Sequence, residues 1–166
     1  MKKERIIILD KERINRKLER MAYQLWEHNS NEESVILLGI EKTGAVVAKN
    51  LALRLKKISP LKVEVFSIKM NKKNPLQDNI DLNIDLSNKS VVLVDDVANS
   101  GKTLMYALLP IMQYEPKKLM IAVLVDRKHK SFPVSSDIVG HSVATTLQDH
   151  IEVEYKGKEI TIAYLQ

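Results

Sequence analysis

One stretch indicates the fold of this chain most strongly: Val91-Val92-Leu93-Val94-Asp95-Asp96-Val97-Ala98-Asn99-Ser100-Gly101-Lys102-Thr103. It begins with four apolar, mostly β-branched residues, which is typical of a strand buried on both faces of a parallel sheet. A polar, glycine-containing turn follows, and then a helical pattern that runs to about Gln113. The stretch therefore predicts a strand, a loop and a helix in that order, which is the beginning of a βαβ unit.

Strand and helix patterns alternate along the rest of the chain. Strand patterns occur at Ile6–Leu9, Val35–Ile40, Leu61–Ile68 and Lys118–Val125. Helix patterns follow Asp10 and cover about Gly44–Lys57 and Gly101–Gln113. This alternation predicts right-handed βαβ units and an α/β fold, with a central parallel sheet covered by helices on both faces. The last part of the chain differs, because two short strands flank Lys156-Gly157-Lys158 and predict a β-hairpin, Ile151–Tyr155 with Ile160–Tyr164.

Length and composition favour a single domain that spans residues 1–166. Hydrophobic residues make up 45% of the chain and charged residues 28%, which excludes a disordered protein. Cysteine is absent, so disulfides and thiolate zinc sites are excluded. The apolar run near the N-terminus has four residues, too few for a signal peptide or a membrane span, so we expect a cytoplasmic protein without a membrane partner.

The net charge of +5 is concentrated in two segments. Residues 1–20 contain eight basic and four acidic side chains, and residues 117–130 contain five basic and one acidic. A basic surface of this kind is compatible with phosphate ligands, with nucleic acid or only with solubility. Composition leaves these three interpretations open.

The loop after Val94 has the residue types of a phosphate site. Ligands of open α/β sheets bind beyond the carboxyl ends of the strands, where loops meet helix N-termini. Ala98, Ser100 and Gly101 are small enough for a phosphate to approach the backbone N–H groups at the start of the helix. Ser100 and Thr103 add hydroxyl donors, and Lys102 adds positive charge.

Two adjacent carboxylates, Asp95 and Asp96, precede this turn. Gly101-Lys102-Thr103 is similar to the end of a Walker A loop, but the first glycine of that motif would fall at Asp96, which argues against an NTPase. Carboxylates suit sugar hydroxyls and a magnesium ion, so a phosphorylated sugar fits better than a nucleoside triphosphate. Each residue alone is more often a helix cap or a turn residue; their combination in this order favours a binding site.

The stretch Val91–Thr103 resembles the phosphoribosyl pyrophosphate (PRPP) signature of type I phosphoribosyltransferases. The resemblance extends over most of the chain to one branch, the family of bifunctional pyrimidine operon attenuators and uracil phosphoribosyltransferases. The stretches that match this branch are Ile8–Asp10, Arg20–Tyr23, Leu38–Ile40 with Gly44, Ala122–Lys130, Pro133 and Asp137–Gly140.

The resemblance implies a type I phosphoribosyltransferase fold, with a small hood and a C-terminal β-hairpin beside the central sheet. It implies transfer of ribose 5-phosphate from PRPP to uracil or a related base, with Mg²⁺ as cofactor and with UMP and pyrophosphate as products. Asp95 and Asp96 are then the catalytic pair, which holds the ribose hydroxyls and the metal. The implied 5′-phosphate site comprises Ala98, Asn99, Ser100, Gly101, Lys102 and Thr103.

The resemblance also implies three further parts of the site. The pyrophosphate loop is Glu41, Lys42, Thr43 and Gly44. The hood over the base is formed by the N-terminal strand and about 126–150, with Asp126, Arg127, Val139 and Gly140 at the base. A flexible arm at about 69–89 closes over the substrates and excludes water from the reacting sugar.

This chain differs from the family pattern at several positions. Thr43 occupies the place before Gly44 where the family usually has arginine, and the arm carries Lys69, Lys72 and Lys73 instead of a tyrosine-arginine pair. The family's RNA surface uses the first helix and the segment after Lys130; Arg20 and Lys130 match that surface. Non-matching residues on the same surface are Glu19, Tyr23, Ser135 and His141.

Three functions therefore stay open at the level of sequence: the transferase, an RNA-binding and nucleotide-sensing regulator with little or no catalysis, and a ligand-binding relative that has lost both activities. The resemblance implies a homodimer or a larger homo-oligomer. A calcium loop at Asp81–Asp85 is excluded, because Leu86 and Val92 replace its glycine and glutamate. The histidines lack metal-ligand spacing, and we expect His28 and His150 to lie at the surface.

Overall fold

A computed structural model describes residues 5–71, 73, 80, 82–146 and 149–166. The first half contains β1 (Ile6–Asp10), α1 (Lys11–His28), β2 (Ser34–Ile40), α2 (Thr43–Ile58) and β3 (Lys62–Ile68). The second half contains β4 (Ser90–Ala98), α3 (Lys102–Met112), β5 (Lys118–Arg127), β6 (Ile138–Val143), β7 (Ile151–Lys156) and β8 (Glu159–Leu165). The strands and helices predicted from the sequence are all confirmed, and β6 is an additional strand.

The large sheet has five parallel strands in the order β3-β2-β4-β5-β6. The central strands β2, β4 and β5 are largely buried on both faces, as their continuous apolar runs predict, whereas the edge strands β3 and β6 are partly exposed. Leu37 and Val92 pack with α1 and α2 in one apolar core, while Leu38 and Leu93, the next residues along the same strands, pack with α3 in a second core on the opposite face. The α/β fold predicted from the sequence is confirmed.

The strand order reverses direction between β2 and β4. The chain moves outward from β2 to β3 and then returns to the other side of β2, from which β4, β5 and β6 continue. A crevice forms at such a reversal, outside the carboxyl ends of the two central strands. The loops after β2 and β4 both lie at this crevice. The loop after β4 has the residue types of a phosphate site, and the loop after β2 is the one to which the family resemblance assigns pyrophosphate.

The fifth strand, β6, was not predicted because its sequence is short and contains Gly140. Asp137 holds the start of the strand on β5, since its N–H donates to the Ile121 carbonyl and its Oδ2 accepts from the Ile121 N–H, each at 2.8 Å. A Cβ at Gly140 would lie 2.4 Å from the Leu124 carbonyl oxygen and 3.0 Å from Met21 Sδ, so this contact requires glycine. Tertiary packing therefore creates this strand.

The small sheet has three antiparallel strands in the order β1-β8-β7 and joins the two ends of the chain. Ile6 pairs with Leu165, and the predicted hairpin β7–β8 is confirmed. Of the hood expected from the N-terminal strand and 126–150, the N-terminal strand lies in this small sheet, whereas β6 belongs to the large sheet. The C-terminal hairpin β7–β8 therefore contributes to the hood, because β8 pairs with the N-terminal strand β1.

Parts of the predicted segments lie outside the described residues. In the arm these are residues 72, 74–79 and 81, which include Lys72 and Asp81, and in the hood they are residues 147–148. Leu82 and Leu86, from the second half of the arm, are buried in the core on the α3 side of the large sheet. None of the helices in the described part of the chain is both long enough and apolar enough to span a membrane.

Candidate active site

Two adjacent carboxylates lie near the carboxyl end of β4 and line one cavity. Asp95 is buried, and its Oδ1 accepts a hydrogen bond from the backbone N–H of Asp96 at 2.9 Å. Asp96 is half-buried and is the more accessible of the two to a bound molecule. Mg²⁺ typically binds one or two protein carboxylates together with substrate phosphates, so the chemistry of this pair fits a magnesium ion that the substrate helps to coordinate.

The turn after β4 is held in a conformation that glycine permits. Gly101 has a φ of 81° and lies at the N-cap of α3, and a Cβ at this position would lie 2.5 Å from Val134 Cγ1. The Ser100 carbonyl accepts hydrogen bonds from the N–H groups of Ser131 and Phe132 at 3.1 and 3.0 Å. The segment after β5 thus fixes the turn from behind and leaves its other side to a ligand.

A cavity of about 550 Å³ lies against this turn. One wall is formed by the carboxylate pair, most of the predicted 5′-phosphate site and the start of α3: Asp95, Asp96, Val97, Ala98, Asn99, Ser100, Gly101, Thr103 and Leu104. The opposite wall is formed by His150, Ile151, Glu152 and Val153, with Lys73 from the arm. Lys102 belongs to the same turn, but it is not part of the cavity wall within the described portion of the chain.

The wall His150–Val153 was missed by the sequence analysis, which predicted only a hairpin strand and an exposed histidine there. His150 is indeed exposed, and it lines the cavity as well. No local pattern marks these residues, because they reach the cavity through the pairing of β7 with β8. They are brought to the site by the tertiary structure.

The Asn99 side chain connects the two walls. Its Nδ2 donates to the Ile151 carbonyl at 3.1 Å, and its Oδ1 accepts from the Ile151 N–H at 3.2 Å. Because both ends of the amide are engaged with β7, the contact that Asn99 could offer a 5′-phosphate is its backbone N–H.

The loop predicted to bind pyrophosphate lies directly beside the carboxylate pair. Gly44 is buried, and a Cβ there would lie 2.8 Å from Asp95 Oδ1 and 3.0 Å from Asp95 Cα. Thr43 is the first residue of α2, and Lys42 is exposed at its N-cap. Glu41 and Lys42 also line a second cavity of about 300 Å³, together with Lys69, Met70 and Asn71 from the start of the arm.

Four residues predicted to contact the base lie away from the large cavity in the described part of the chain. Asp126 forms an ion pair with Lys130 at 2.9 Å and accepts a hydrogen bond from Ser136 Oγ at 3.2 Å. Arg127 is buried and donates to the carbonyls of Thr146 and Asp149 at 2.9 and 3.1 Å, which ties β5 to the segment before β7. Arg127 therefore holds the segment that leads into His150–Val153, whereas Asp126 holds the segment after β5.

The other two predicted base residues, Val139 and Gly140, lie in β6 beside α1. Their carbonyls accept hydrogen bonds from Arg20 Nη2 at 3.0 and 2.6 Å. Arg20 also donates to Gln24 Oε1 at 2.8 Å. The family resemblance assigns Arg20 to an RNA surface. In the structure its guanidinium holds α1 against β6, the edge strand of the large sheet.

A basic groove lies on the outer face of α1. Arg13, Arg16, Lys17 and Arg20 line a cavity of about 340 Å³. Burial lowers the pKa of the neighbouring His141, and the positive charges of Lys17 and Arg13 lower this pKa further. Glu12 pairs with Arg16 at 3.0 Å and offsets part of the charge. Lys130, the second RNA candidate, lies in the segment after β5 and is paired with Asp126.

No cluster of three or more histidine, cysteine or acidic side chains that could hold a metal is found in the residues that the structure describes. A magnesium site at Asp95 and Asp96 would thus draw its remaining ligands from the substrate and from water.

Comparison with known proteins identifies the fold and the family. The fold is similar to that of the hypoxanthine phosphoribosyltransferase of Trypanosoma cruzi, with a TM-score of 0.77 at 16% identity over 94% of each chain. A hypoxanthine-guanine phosphoribosyltransferase of Bacillus anthracis has a TM-score of 0.72 at 21% identity, over 83% of this chain and 82% of its own. At these identities the similarity establishes the fold alone.

Curated relatives are more similar in sequence. The chain is 34% identical over 157 residues to the bifunctional protein PyrR of Clostridium novyi (strain NT), over 89% of this chain and 88% of that protein. It is 32% identical over 163 residues to the bifunctional protein PyrR of Bacillus cereus (strain AH820), over 91% of each. The model of the phosphoribosyl transferase domain matches residues 6–158. The chain belongs to the phosphoribosyl transferase domain family.

Proposed function

We propose that the chain transfers ribose 5-phosphate from PRPP to uracil, with release of pyrophosphate and formation of UMP. The observation that carries this proposal is the cavity between the phosphate loop and the β7 edge. Such a cavity has room for a sugar phosphate against one wall and a planar base against the other. We further propose that the chain acts in the cytoplasm as a homo-oligomer, as the family resemblance implies.

The phosphate loop would bind and orient the ribose 5-phosphate group. Backbone N–H groups at the start of α3 and the hydroxyls of Ser100 and Thr103 provide donors for the 5′-phosphate. Asp96 provides acceptors for the ribose hydroxyls from the same wall. The sugar is thereby held with its C1′ between the base and the pyrophosphate, and this positioning replaces a protein nucleophile.

Pyrophosphate departure would occur next to the loop Glu41–Gly44. The bond from C1′ to the pyrophosphate oxygen breaks, the bond from C1′ to uracil N1 forms, and the N1 proton is lost to solvent or to a nearby acceptor. A magnesium ion bound by the Asp95 and Asp96 pair and the substrate would neutralise negative charge on the leaving group. Lys42 and Lys69, which line the adjoining small cavity, supply further positive charge.

The β7 edge offers main-chain groups for the base. His150 and Gln166 exchange two hydrogen bonds at 3.1 and 3.0 Å, so alternate residues of β7 direct their N–H and C=O groups away from β8. Ile151 and Val153 are these alternate residues. Val153 lines the cavity and can therefore offer one donor and one acceptor to the N–H and C=O groups at the edge of a pyrimidine.

Product formation from PRPP, magnesium and one base at a time tests this proposal. Purified protein is incubated in parallel with uracil, orotate, hypoxanthine and guanine, and nucleoside monophosphates are measured by chromatography. We expect UMP as the main product. Product from another base without UMP would contradict the assignment of uracil, and no product from any base would contradict the transferase function.

A second function, binding of RNA, is favoured by the basic groove on α1. Four cations on one helix face form a surface that can follow a phosphate backbone, and affinity for such a backbone falls steeply with salt. The relatives' description as bifunctional is consistent with a second activity in the same chain.

Titration with a pyrimidine-operon leader RNA at two salt concentrations tests this second function. The double variant Arg16→Ala/Lys17→Ala should weaken binding and flatten its salt dependence. A matched control is Lys56→Ala/Lys57→Ala, which removes two exposed cations from the last turn of α2. Equal losses of RNA affinity in the two double variants would contradict a specific RNA surface. An affinity that depends neither on the RNA sequence nor on UMP would contradict it as well.

A further inference from the structure

The two walls of the large cavity are joined by one side chain. Asn99 lies in the phosphate loop, and Ile151 is the first residue of the β7 edge. The two hydrogen bonds between the Asn99 amide and the Ile151 main chain measure 3.1 and 3.2 Å. Ile151 is also 1% exposed, and its side chain packs in the core together with Leu9 and Val47. These two hydrogen bonds, the Asn99 clamp, therefore connect the phosphate loop to a residue of β7 whose side chain is fixed in the core.

The Ile151 main chain is available for this clamp because of the strand register. The pair His150 and Gln166 exchanges both of its main-chain hydrogen bonds, so the next pair, Ile151 and Leu165, exchanges none. Both polar groups of Ile151 then point away from β8 toward the phosphate loop. A primary amide has one donor and one acceptor side by side and satisfies both groups at once, as a neighbouring strand would.

We propose that Asn99 is a positioning residue that sets the base wall against the phosphate loop, so that the affinity for the base depends on the state of the loop. The inference rests on the proposed transferase function for its substrates. Val153, whose outward main-chain groups face the cavity, lies two residues beyond Ile151, or about 7 Å along the strand. A shift of Ile151 relative to Asn99 changes the distance between Val153 and the sugar-binding loop.

This arrangement predicts ordered recognition. A sugar phosphate held by the backbone of the loop immobilises Asn99, and Asn99 in turn immobilises the edge that receives the base. The base should therefore bind more tightly after PRPP than before it. Binding of PRPP in the absence of base should depend little on the clamp, because the donors for its phosphate are main-chain N–H and hydroxyl groups of the loop itself.

Steady-state kinetics with the variant Asn99→Leu test the coupling. Leucine has nearly the shape of asparagine and removes both hydrogen bonds. We expect the KM for the base at saturating PRPP to rise about tenfold, as for the loss of one or two neutral hydrogen bonds, while the dissociation constant of PRPP measured without base changes less than about twofold. An equal rise in the KM for the base and in this dissociation constant, or a fall in kcat alone, would contradict the inference.

A matched control is available in Asn50. Its Nδ2 donates to the carbonyls of Val46 and Lys158, each at 2.9 Å, so it also ties a helix of the large sheet to the small sheet, but away from the cavity. Asn50→Leu removes a similar tie at the opposite end of the hairpin. We expect it to leave the KM for the base unchanged. A rise equal to that of Asn99→Leu would mean that any loosening of the small sheet has the same effect, and the specific clamp would be rejected.

Amide hydrogen exchange at Ile151, measured by NMR, tests the clamp without relying on activity. Asn99→Leu should accelerate exchange at this amide, whereas Asn99→Asp, which keeps an acceptor for the N–H, should preserve much of its protection. Ribose 5-phosphate should slow the exchange in the original protein and not in Asn99→Leu. Unchanged exchange in Asn99→Leu would overturn the inference even in an active enzyme.

These measurements distinguish a failure of the Asn99 clamp from a failure of the proposed transferase function. If no base is converted, the proposed function fails, and the exchange experiment still decides whether Asn99 holds β7. If Asn99→Leu does not fold, Asn99→Asp replaces it in the kinetics, because it removes only the donor to the Ile151 carbonyl. A base KM that stays unchanged in a folded Asn99→Asp variant would then contradict the coupling.

Discussion

The two walls of the large cavity are built in different ways. The proposed phosphate wall comes from one short stretch, Asp95–Leu104 without Lys102, which contains the end of β4 and the start of α3. The base wall, His150–Val153, is the edge of a small sheet that needs both ends of the chain. The phosphate wall works through local geometry, whereas the base wall depends on partners more than 50 residues away, such as Asn99. A local motif thus identifies the sugar phosphate much more readily than the base.

The largest expected effect comes from removing a charge of the phosphate wall. Asp96→Asn should lower kcat by about 100-fold or more, the usual effect of losing one preorganised electrostatic group in an active site. Because Asp96 is half-buried, the midpoint of thermal unfolding should change little. Steady-state kinetics and thermal unfolding measure the two effects.

Glu27→Gln, at an exposed position on α1, serves as the control for Asp96→Asn. It removes one carboxylate outside the cavity and should leave kcat unchanged. An unchanged kcat in Asp96→Asn as well would mean that the carboxylate pair is not the reacting centre.

Substitution of one glycine in each region compares how much the phosphate wall and the small sheet contribute to the free energy of unfolding. Gly101, in the phosphate wall, and Gly157, in the hairpin turn of the small sheet, both have positive φ, 81° and 61°. A Cβ at Gly101 would lie 2.5 Å from Val134, whereas a Cβ at Gly157 would meet nothing within 4 Å. We expect Gly101→Ala to lower the free energy of unfolding by about 3 kcal/mol and Gly157→Ala by about 1 kcal/mol. Urea denaturation measures both, and equal losses would show that the Val134 contact relaxes without cost.

A tyrosine in the small sheet provides a test of the base wall. Tyr164 is buried, and its hydroxyl lies 2.6 Å from Glu152 Oε2 and 3.0 Å from Glu154 Oε1, so it can donate to only one of them at a time. Tyr164→Phe should lower the free energy of unfolding by about 1–2 kcal/mol, because it leaves Glu152 with one partner fewer. Urea denaturation near neutral pH measures the change, and no change would mean that Glu152 is equally well hydrated without the hydroxyl.

The same tyrosine predicts a pH dependence. The hydrogen bond to Glu152, followed by burial, raises the pKa of Tyr164 above its ordinary 10.0. The unfolded chain therefore loses this proton at lower pH than the folded chain, and the contribution to stability declines as the pH rises above about 10. The difference in unfolding free energy between the original protein and Tyr164→Phe should shrink over that range. A difference that stays constant would contradict the raised pKa.

The smallest effect concerns a region outside both walls. The pKa of His141 lies below its ordinary 6.5 because of burial and the charges of Lys17 and Arg13. The unfolded chain binds this proton more readily, so this contribution to stability falls as the pH drops through 6.5. Lys17→Ala should raise the pKa in an NMR titration of the histidine. An unchanged pKa would mean that burial and Arg13 account for the shift without Lys17.

The sequence was sufficient for the central fold because its signals are local. Buried parallel strands need continuous apolar runs, and Val91–Val94 and Val35–Ile40 have them. β6 escaped prediction because Asp137 and Gly140 obtain their strand geometry from contacts with β5 and α1. The positions of Asp126 and Arg127 away from the cavity could not be predicted from the sequence either, because loop packing determines their hydrogen-bond partners.

The residue order alone predicted the α/β fold, the carboxylate pair and the turn at Gly101, since their sequence patterns are local, although Ser131 and Phe132 also hold this turn in the fold. The tertiary structure alone decided which residues face that turn across the cavity. Main-chain groups of β7 have no sequence signature, because every residue carries the same N–H and C=O. Their exposure to the cavity follows from the register with β8 and from the amide of Asn99, and both arise only when the chain ends pair.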